Sequence, residues 1–211
     1  MRDRVEALGR RFARFATDAV VARPRLWRVF RAPLRKQFDL LAPVWEGRRS
    51  DDRLVALGAA LERVDRSPTR VLDLGTGTGQ AARVVARLFR QAEVIGVDLS
   101  EAMIREASRV LPAELRDRVR YEAGDASALR FHDGEFDLVV LSNMIPFFEE
   151  LARVTADDGT LVFAFSSGAE TPIYVATDTL RGRLAPAGFT KFEEIAAGEG
   201  TAVLAQREKS G

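Results

Sequence analysis

The chain has 211 residues, of which 46% are apolar and 30% charged, proportions typical of one folded domain with a short appended segment. No apolar run approaches the roughly 20 residues that a membrane-spanning helix needs, and no signal-peptide core opens the sequence, so we expect a cytoplasmic protein. With no cysteine and a single histidine, the composition excludes disulfides, a thiolate nucleophile, and metal sites built on Cys or on several His.

The net charge of +1 conceals two parts of opposite charge. Residues 1–50 hold 13 Lys and Arg against 5 Asp and Glu, whereas the remainder holds 19 against 26. A basic segment of this kind is compatible with a solvated helix face, with peripheral contact to an anionic membrane, or with nucleic-acid binding. No basic run or aromatic repeat marks a nucleic-acid groove, so we do not expect nucleic acid as the partner.

Apolar residues of the N-terminal segment recur at steps of three and four, the spacing of amphipathic helices. Pro24 and Pro33 punctuate this segment, and a further helix is predicted over residues 51–66. We interpret residues 1–66 as a helical extension with three alternative roles. It forms a lid over an acceptor pocket, it only packs against the sheet, or it lies at a membrane surface. Its apolar positions are Val5, Leu8, Phe12, Phe15, Ala19, Val20, Trp27, Phe30, Leu34, Phe38 and Leu41.

From Arg70 onward, short apolar runs alternate with helical patterns, which is typical of a parallel sheet with crossover helices. Residues 67–207 are therefore predicted to form a Rossmann-like α/β domain with a seven-stranded, mostly parallel sheet. A turn at Gly198 and Gly200 predicts an antiparallel hairpin at its end. Strands are expected at residues 71–74, 94–97, 119–123, 136–141, 160–165, 189–195 and 201–206.

A glycine loop and an acidic residue follow the first two strands, at the sheet edge where ligands of this fold bind. Gly75, Gly77 and Gly79 allow backbone N–H groups to approach a polar ligand beside a helix N-terminus. Asp98 ends the second strand 19 residues after Gly79, and its carboxylate can accept from both ribose hydroxyls. Together they predict a site for a cofactor that carries a nucleoside.

A nicotinamide-dependent oxidoreductase is the main alternative for such a site. Its fingerprint closes on Gly or Ala at the sixth position, but counting from Gly75 that position holds Gln80, and the acidic Asp73 precedes the loop. A domain that binds a cofactor without catalysing a reaction is the other alternative, because a fold does not guarantee a function.

Four segments taken together resemble the core motifs of class I S-adenosylmethionine-dependent methyltransferases: Val71–Gln80, Val94–Ile104, Gly124–Ala126 and Phe136–Asn143. They occur in the family's order over about residues 68–165. The resemblance implies S-adenosyl-L-methionine as cofactor, a small and largely apolar acceptor, and direct displacement without a metal. Such a transfer needs in-line approach and exclusion of water, so no catalytic base need be visible.

The resemblance also implies a role for each motif residue. The loop binds the methionine carboxylate with Asp73 near the ammonium, Asp98 binds the ribose, and Asp125 accepts from the adenine amino group. The alternative is that these acids only cap strand ends and helices. The predicted cofactor residues are Asp73, Gly75, Thr76, Gly77, Gly79, Asp98, Leu99, Met103, Asp125, Ala126 and Asn143.

The acceptor side is less well marked. Residues 142–148 partly match the Asn-Pro-Pro-aromatic motif of nucleic-acid amino-methyltransferases, but Met144 and Ile145 interrupt it, which argues against base methylation. Asn143 either faces the cofactor or substrate, or serves as a turn residue that caps the next helix. We predict that Phe38, Phe147 and Tyr174 line the acceptor pocket.

Overall fold

The computed structural model describes residues 2–46 and 51–208, with side chains from residue 8 onward and none for 51–52. The side chain of Val5 and residues 47–50 of the basic segment thus lie outside the described part. The strands are β1 (Arg70–Leu74), β2 (Glu93–Asp98), β3 (Val119–Ala123), β4 (Phe136–Ser142), β5 (Thr155–Phe165), β6 (Phe189–Ala197) and β7 (Gly200–Arg207). The α-helices are α1 (Arg2–Ala22), α2 (Trp27–Trp45), α3 (Val55–Leu61), α4 (Gln80–Leu88), α5 (Glu101–Val110), α6 (Phe148–Val154) and α7 (Thr177–Leu184).

All seven strands belong to one sheet in the order β3-β2-β1-β4-β5-β7-β6. The pairs from β3 to β5 are parallel, and β7 inserts antiparallel between β5 and β6. This confirms the predicted seven-stranded, mostly parallel Rossmann-like sheet with its terminal antiparallel hairpin and N-terminal helices. The order reverses between β1 and β4, which is where open α/β sheets bind their ligands.

The central strands are apolar on both faces because helices cover both sides of the sheet. One face packs against α1, α2, α6 and α7, and the other against α3 and α4. Successive strand residues alternate between these two cores, as the pleat requires. The first core takes Leu72, Leu74, Ile95, Val97, Val139, Leu141, Leu161, Phe163, Phe165, Val203 and Ala205, and the second takes Val71, Val94, Leu138, Val140, Val162, Ala164, Ala202 and Leu204.

Several predicted boundaries differ from the structure. Among the strands the largest difference is at β5, which begins at Thr155 and not at residue 160. The helix predicted over 51–66 is a 3₁₀ turn over Asp51–Leu54 followed by α3, which ends at Leu61. Pro33 was predicted to punctuate the N-terminal segment, yet α2 runs through it. A proline inside a helix removes one backbone hydrogen bond, and the apolar stripe of α2 continues on both sides of it into the core. Within the described residues, no helix has the length and apolarity needed to cross a bilayer.

We predict that Gly79→Ala destabilises the protein by on the order of 2–4 kcal/mol. Gly79 has φ +80°, and a Cβ there would lie 2.2 Å from the Tyr121 hydroxyl oxygen. Urea unfolding measures the change. Gly182→Ala is the matched control, because a Cβ there meets nothing within 4 Å. It replaces glycine inside α7 and should stabilise by about 0.5–1 kcal/mol. Equal stability of both variants would contradict the loop geometry.

Candidate cofactor and acceptor site

The loop between β1 and α4 needs its glycines. Gly75, Gly77 and Gly79 have φ values of 69°, 54° and 80°, a region that other residues rarely adopt. A Cβ on Gly75 would lie 2.6 Å from the Met144 sulfur. The loop is held against β2, because the N–H groups of Gly75 and Thr76 both donate to the Val97 carbonyl, at 2.8 and 3.0 Å.

Tyr121 of β3 supports the far end of this loop. Its hydroxyl donates to the Gly79 carbonyl at 3.3 Å. Burial raises the pKa of Tyr121 to about 12. The phenol therefore stays neutral at physiological pH and keeps its proton for the loop. The sequence contained no signal for this contact, since Tyr121 lies on an otherwise ordinary strand.

Asp73 is a residue of β1, two positions before Gly75. It is fully buried, and its Oδ2 accepts from the Thr76 hydroxyl at 2.6 Å and from the Ala82 N–H at 3.0 Å. These bonds fix the loop to the first turn of α4, where the helix N-terminus favours a negative charge. The structure thus gives Asp73 a loop-organising role, and its contact with a cofactor ammonium stays a prediction.

Asp98 joins the loop to the start of α5. Its Oδ2 accepts from the Gly77 N–H at 2.8 Å, and its Oδ1 accepts from the Ser100 N–H at 2.9 Å. Ser100 caps α5 by accepting from the Met103 N–H at 3.1 Å. Met103 is buried and Leu99 partly buried beside them. The acid and the glycine loop thus meet as their spacing predicts, while the ribose contact itself stays a prediction.

Asp125 follows β3 at the same edge of the sheet. Its Oδ1 accepts from the Ser127 N–H at 2.9 Å, from the Ser127 hydroxyl at 2.7 Å and from the Trp27 indole N–H at 2.8 Å. Burial alone raises the pKa of Asp125, but the hydrogen bonds from Ser127, Trp27 and Arg31 lower it below its usual range. The carboxylate is therefore charged at neutral pH and acts as an acceptor only. Ala126, one of the predicted cofactor residues, follows it in the chain and is buried.

Helix α2 crosses this edge and bonds to the loops after β1, β2 and β3. Trp27 contacts Asp125, Asp39 accepts from the Ser100 hydroxyl at 2.6 Å, and Glu46 accepts from the Thr78 hydroxyl. The N-terminal segment therefore covers the carboxyl ends of the strands, and its role as a lid stays a prediction. Sequence reasoning missed Trp27, Asp39 and Glu46, because helical periodicity does not reveal which distant loops a helix crosses.

The predicted acceptor residues lie in the core layer that borders this edge, but they have different partners. The Phe147 ring packs edge-on to Trp27 at 5.1 Å, the Tyr174 ring to Phe165 at 5.0 Å, and the Phe38 ring to Trp45 at 5.9 Å. Tyr174 also borders a groove of about 540 Å³ between α1 and α7. The other residues that line it are Arg14, Asp18, Val21, Ala22, Val175, Ala176, Thr179 and Arg183.

Asn143 ties the tips of β4 and β5 together. It has φ 53°, its Oδ1 accepts from the Ser166 N–H at 3.0 Å, and its Nδ2 donates to the Ser166 hydroxyl at 3.2 Å. Asparagine tolerates the left-handed conformation better than most residues. The structure therefore supports a turn at Asn143. It does not support the predicted cap, because the N-cap of α6 is Phe147 and no side chain caps that helix. A contact of Asn143 with cofactor or substrate stays a prediction.

The opposite edge of the sheet carries charge without the features of this site. A depression of about 360 Å³ lies there among the amino ends of β1, β4 and β5. Two ion pairs lie within it, Arg66 with Asp158 at 3.3 Å and Arg207 with Asp157 at 3.8 Å. Among the described residues, no three His, Asp or Glu side chains are grouped to hold a metal ion.

Residues 71–159 match a family model described as a methyltransferase domain. They belong to the class I S-adenosylmethionine-dependent methyltransferases. This match confirms the predicted family and the predicted cofactor, S-adenosyl-L-methionine. This domain includes the glycine loop, Asp98, Asp125 and Asn143.

Curated relatives carry the same assignment. The chain is 39% identical over 150 residues to a malonyl-[acyl-carrier protein] O-methyltransferase of Halorhodospira halophila, over 65% of this chain and 49% of that protein. It is 37% identical over 127 residues to a demethylmenaquinone methyltransferase of Thermus thermophilus, over 53% of this chain and 57% of that protein. The chain thus spans only about half the length of these relatives.

A solved structure shares the fold. A putative S-adenosyl-L-methionine-dependent methyltransferase of Methanococcus maripaludis superposes with a TM-score of 0.66 at 16% identity, covering 84% of this chain and 94% of that one. At this identity the likeness shows the fold alone. The shared fold extends beyond residues 71–159, since 84% of the chain is more than that segment.

Proposed function

We propose that the chain transfers the methyl group of S-adenosyl-L-methionine to a small, largely apolar acceptor by direct displacement. One observation carries this proposal: the glycine loop, Asp98 and Asp125 all lie at the carboxyl ends of the neighbouring strands β1, β2 and β3. The loop supplies backbone N–H groups, and the two acids supply acceptors for hydroxyl and amino hydrogens. This set of donors and acceptors fits an amino acid joined to an adenosine.

Each group has one task in this proposal. The loop binds the methionine end, Asp98 holds the ribose hydroxyls and Asp125 accepts from the adenine amino group. The cofactor itself supplies an electrophilic methyl on a positively charged sulfur. The chain orients this methyl toward the acceptor and excludes water, and α2 covers the edge where the transfer takes place. No residue is assigned as a catalytic base.

The acceptor proposal depends on the aromatic layer beside this edge. Phe147 is only 8% exposed and packs on Trp27, and Tyr174 packs on Phe165. Such walls favour an aromatic acceptor over a charged one, since a buried charge would need a partner. The relative named for demethylmenaquinone agrees with this preference, and the one named for malonyl-[acyl-carrier protein] supplies the competing acceptor.

We expect the full chain to bind S-adenosylhomocysteine in calorimetry and to prefer it to NAD. Asp98→Ala should weaken this binding about 10- to 100-fold, because it removes charge-assisted hydrogen bonds to the ribose. Asp117→Asn removes an exposed charge elsewhere and serves as the control. Tighter binding of NAD would contradict the cofactor proposal. Unchanged affinity in a folded Asp98→Ala variant would contradict the ribose role.

We expect labelled methyl from S-adenosyl-L-methionine to appear on a naphthohydroquinone in preference to a malonyl thioester. Phe147→Leu should lower kcat/KM for the hydroquinone about tenfold, because it removes part of the pocket wall. Phe192→Leu is the matched control, since Phe192 lies on β6 outside the site. Transfer to the thioester alone would overturn the apolar acceptor. Transfer to neither, with the cofactor bound, would favour a non-catalytic domain.

We also propose that α1 and α2 dock on an anionic membrane surface, where an apolar acceptor would partition. Among the described residues, most large apolar side chains that are exposed belong to these two helices. Leu8, Phe15 and Leu40 are 69%, 64% and 73% exposed, in a segment with 13 Lys and Arg against 5 Asp and Glu. Exposed apolar side chains among arginines are typical of interfacial helices. The other exposed large apolar side chains described on these two helices are Val29 and Val44.

Co-sedimentation with phosphatidylglycerol vesicles tests this docking. We expect the full chain to pellet with these vesicles and not with phosphatidylcholine vesicles, because a basic surface is attracted to anionic lipid. The triple variant Leu8→Glu, Phe15→Glu, Leu40→Glu should lose most of this binding. Leu88→Glu is the control, because Leu88 is also exposed, at 45%, but lies on α4. Equal pelleting of the triple variant and the wild type would remove the membrane proposal.

A further inference from the structure

Trp27 connects the two halves of the site. It is the first residue of α2 and is only 6% exposed. Its indole N–H donates to Asp125 Oδ1 at 2.8 Å, although the two residues are 98 positions apart in the sequence. Its ring packs edge-on to Phe147 at 5.1 Å, with an interplanar angle of 65°. One side chain thus contacts both Asp125, the proposed hydrogen-bond partner of adenine, and Phe147, a proposed wall of the pocket for the methyl acceptor.

The two oxygens of Asp125 are in different situations. Oδ1 accepts three hydrogen bonds, two from Ser127 and one from Trp27. A carboxylate oxygen has two lone pairs, so Oδ1 has no capacity left for a ligand. Among the residues that the structure describes, Oδ2 has a single polar contact, at 3.5 Å, with the guanidinium of Arg31, which is 55% exposed. Oδ2 is therefore the oxygen that can accept from a bound group.

We infer that Trp27 is a positioning residue that orients Asp125 for the amino group of adenine. Rotation about the last torsion of an aspartate turns the plane of its carboxylate, and that torsion is soft. The three hydrogen bonds to Oδ1 restrict this rotation, so that Oδ2 keeps a fixed direction in which it can accept from the ligand. This inference rests on the proposed function, because it assigns Asp125 to the adenine.

The orientation has a chemical consequence for ligand choice. A charged carboxylate oxygen accepts from a 6-amino group but repels the 6-oxo group of the corresponding inosine. The site should therefore discriminate between the two purines by the hydrogen bond alone. A residue that only packs α2 onto the sheet would affect both purines equally.

Calorimetry of the full chain with S-adenosylhomocysteine and S-inosylhomocysteine tests the inference. The wild type should prefer the adenosyl compound by about 10- to 100-fold, the range for a hydrogen bond to a charged group. Trp27→Phe keeps an aromatic ring against Phe147 and removes the N–H. We expect this variant to lose a large part of the preference, with the affinity for the inosyl compound unchanged.

Two further variants separate orientation from packing. Ser127→Ala removes another donor to Oδ1 without touching α2, so its preference should fall in the same direction. Phe30→Leu is the control on the same helix, because Phe30 packs on Phe12 and Phe15 and has no contact with Asp125. Its preference should equal that of the wild type. Thermal unfolding of each variant verifies the fold.

Each other outcome overturns the inference. An unchanged preference in Trp27→Phe means that the indole N–H does not orient Asp125. Equal losses for both purines mean that Trp27 acts by packing only. If Trp27→Phe binds the adenosyl compound more tightly than the wild type does, the indole competes with adenine for Asp125. If the wild type binds neither compound, the proposed function itself fails, a result distinct from these three.

Discussion

The hydrogen bond from the Gly77 N–H to Asp98 Oδ2 joins the tips of β1 and β2, and the rest of the site depends on it. It requires that Leu74 pair with Val97, so that the loop and the acid leave the sheet side by side. It also requires φ 54° at Gly77, which strongly favours glycine. Because both conditions hold, a short loop presents its backbone next to a carboxylate at the same edge.

The site consists mainly of carboxylates that accept hydrogen bonds and backbone N–H groups that donate them. Asp73, Asp98 and Asp125 each accept at least two hydrogen bonds from the protein itself. A carboxylate held in this way has lost part of its rotational freedom before any ligand arrives. Preorganisation of this kind suits a reaction in which the protein mainly binds, aligns and excludes water, since the reactive group belongs to the cofactor.

The N-terminal helices are part of this site as well as a cover for it. Through Trp27, Asp39 and Glu46, α2 bonds to the loops after three neighbouring strands. Any movement of α2 therefore changes contacts at Asp125, at the α5 cap and at the glycine loop together. The division into residues 1–66 and 67–207 stays a prediction, and the contacts across it show how closely the two segments are joined.

Local sequence patterns determined the strands, the glycine loop and the position of Asp98, because each depends on residues close together in the chain. Continuous apolar runs indicated strands with two buried faces, and the spacing of the glycines indicated a tight turn. Only the tertiary structure decided what each acid contacts, since Trp27 and Asp125, or Asn143 and Ser166, meet through packing between distant elements. It also decided that α2 continues through Pro33. Burial of the helix stripe outweighs one missing hydrogen bond, and that balance is visible only when the whole core is assembled.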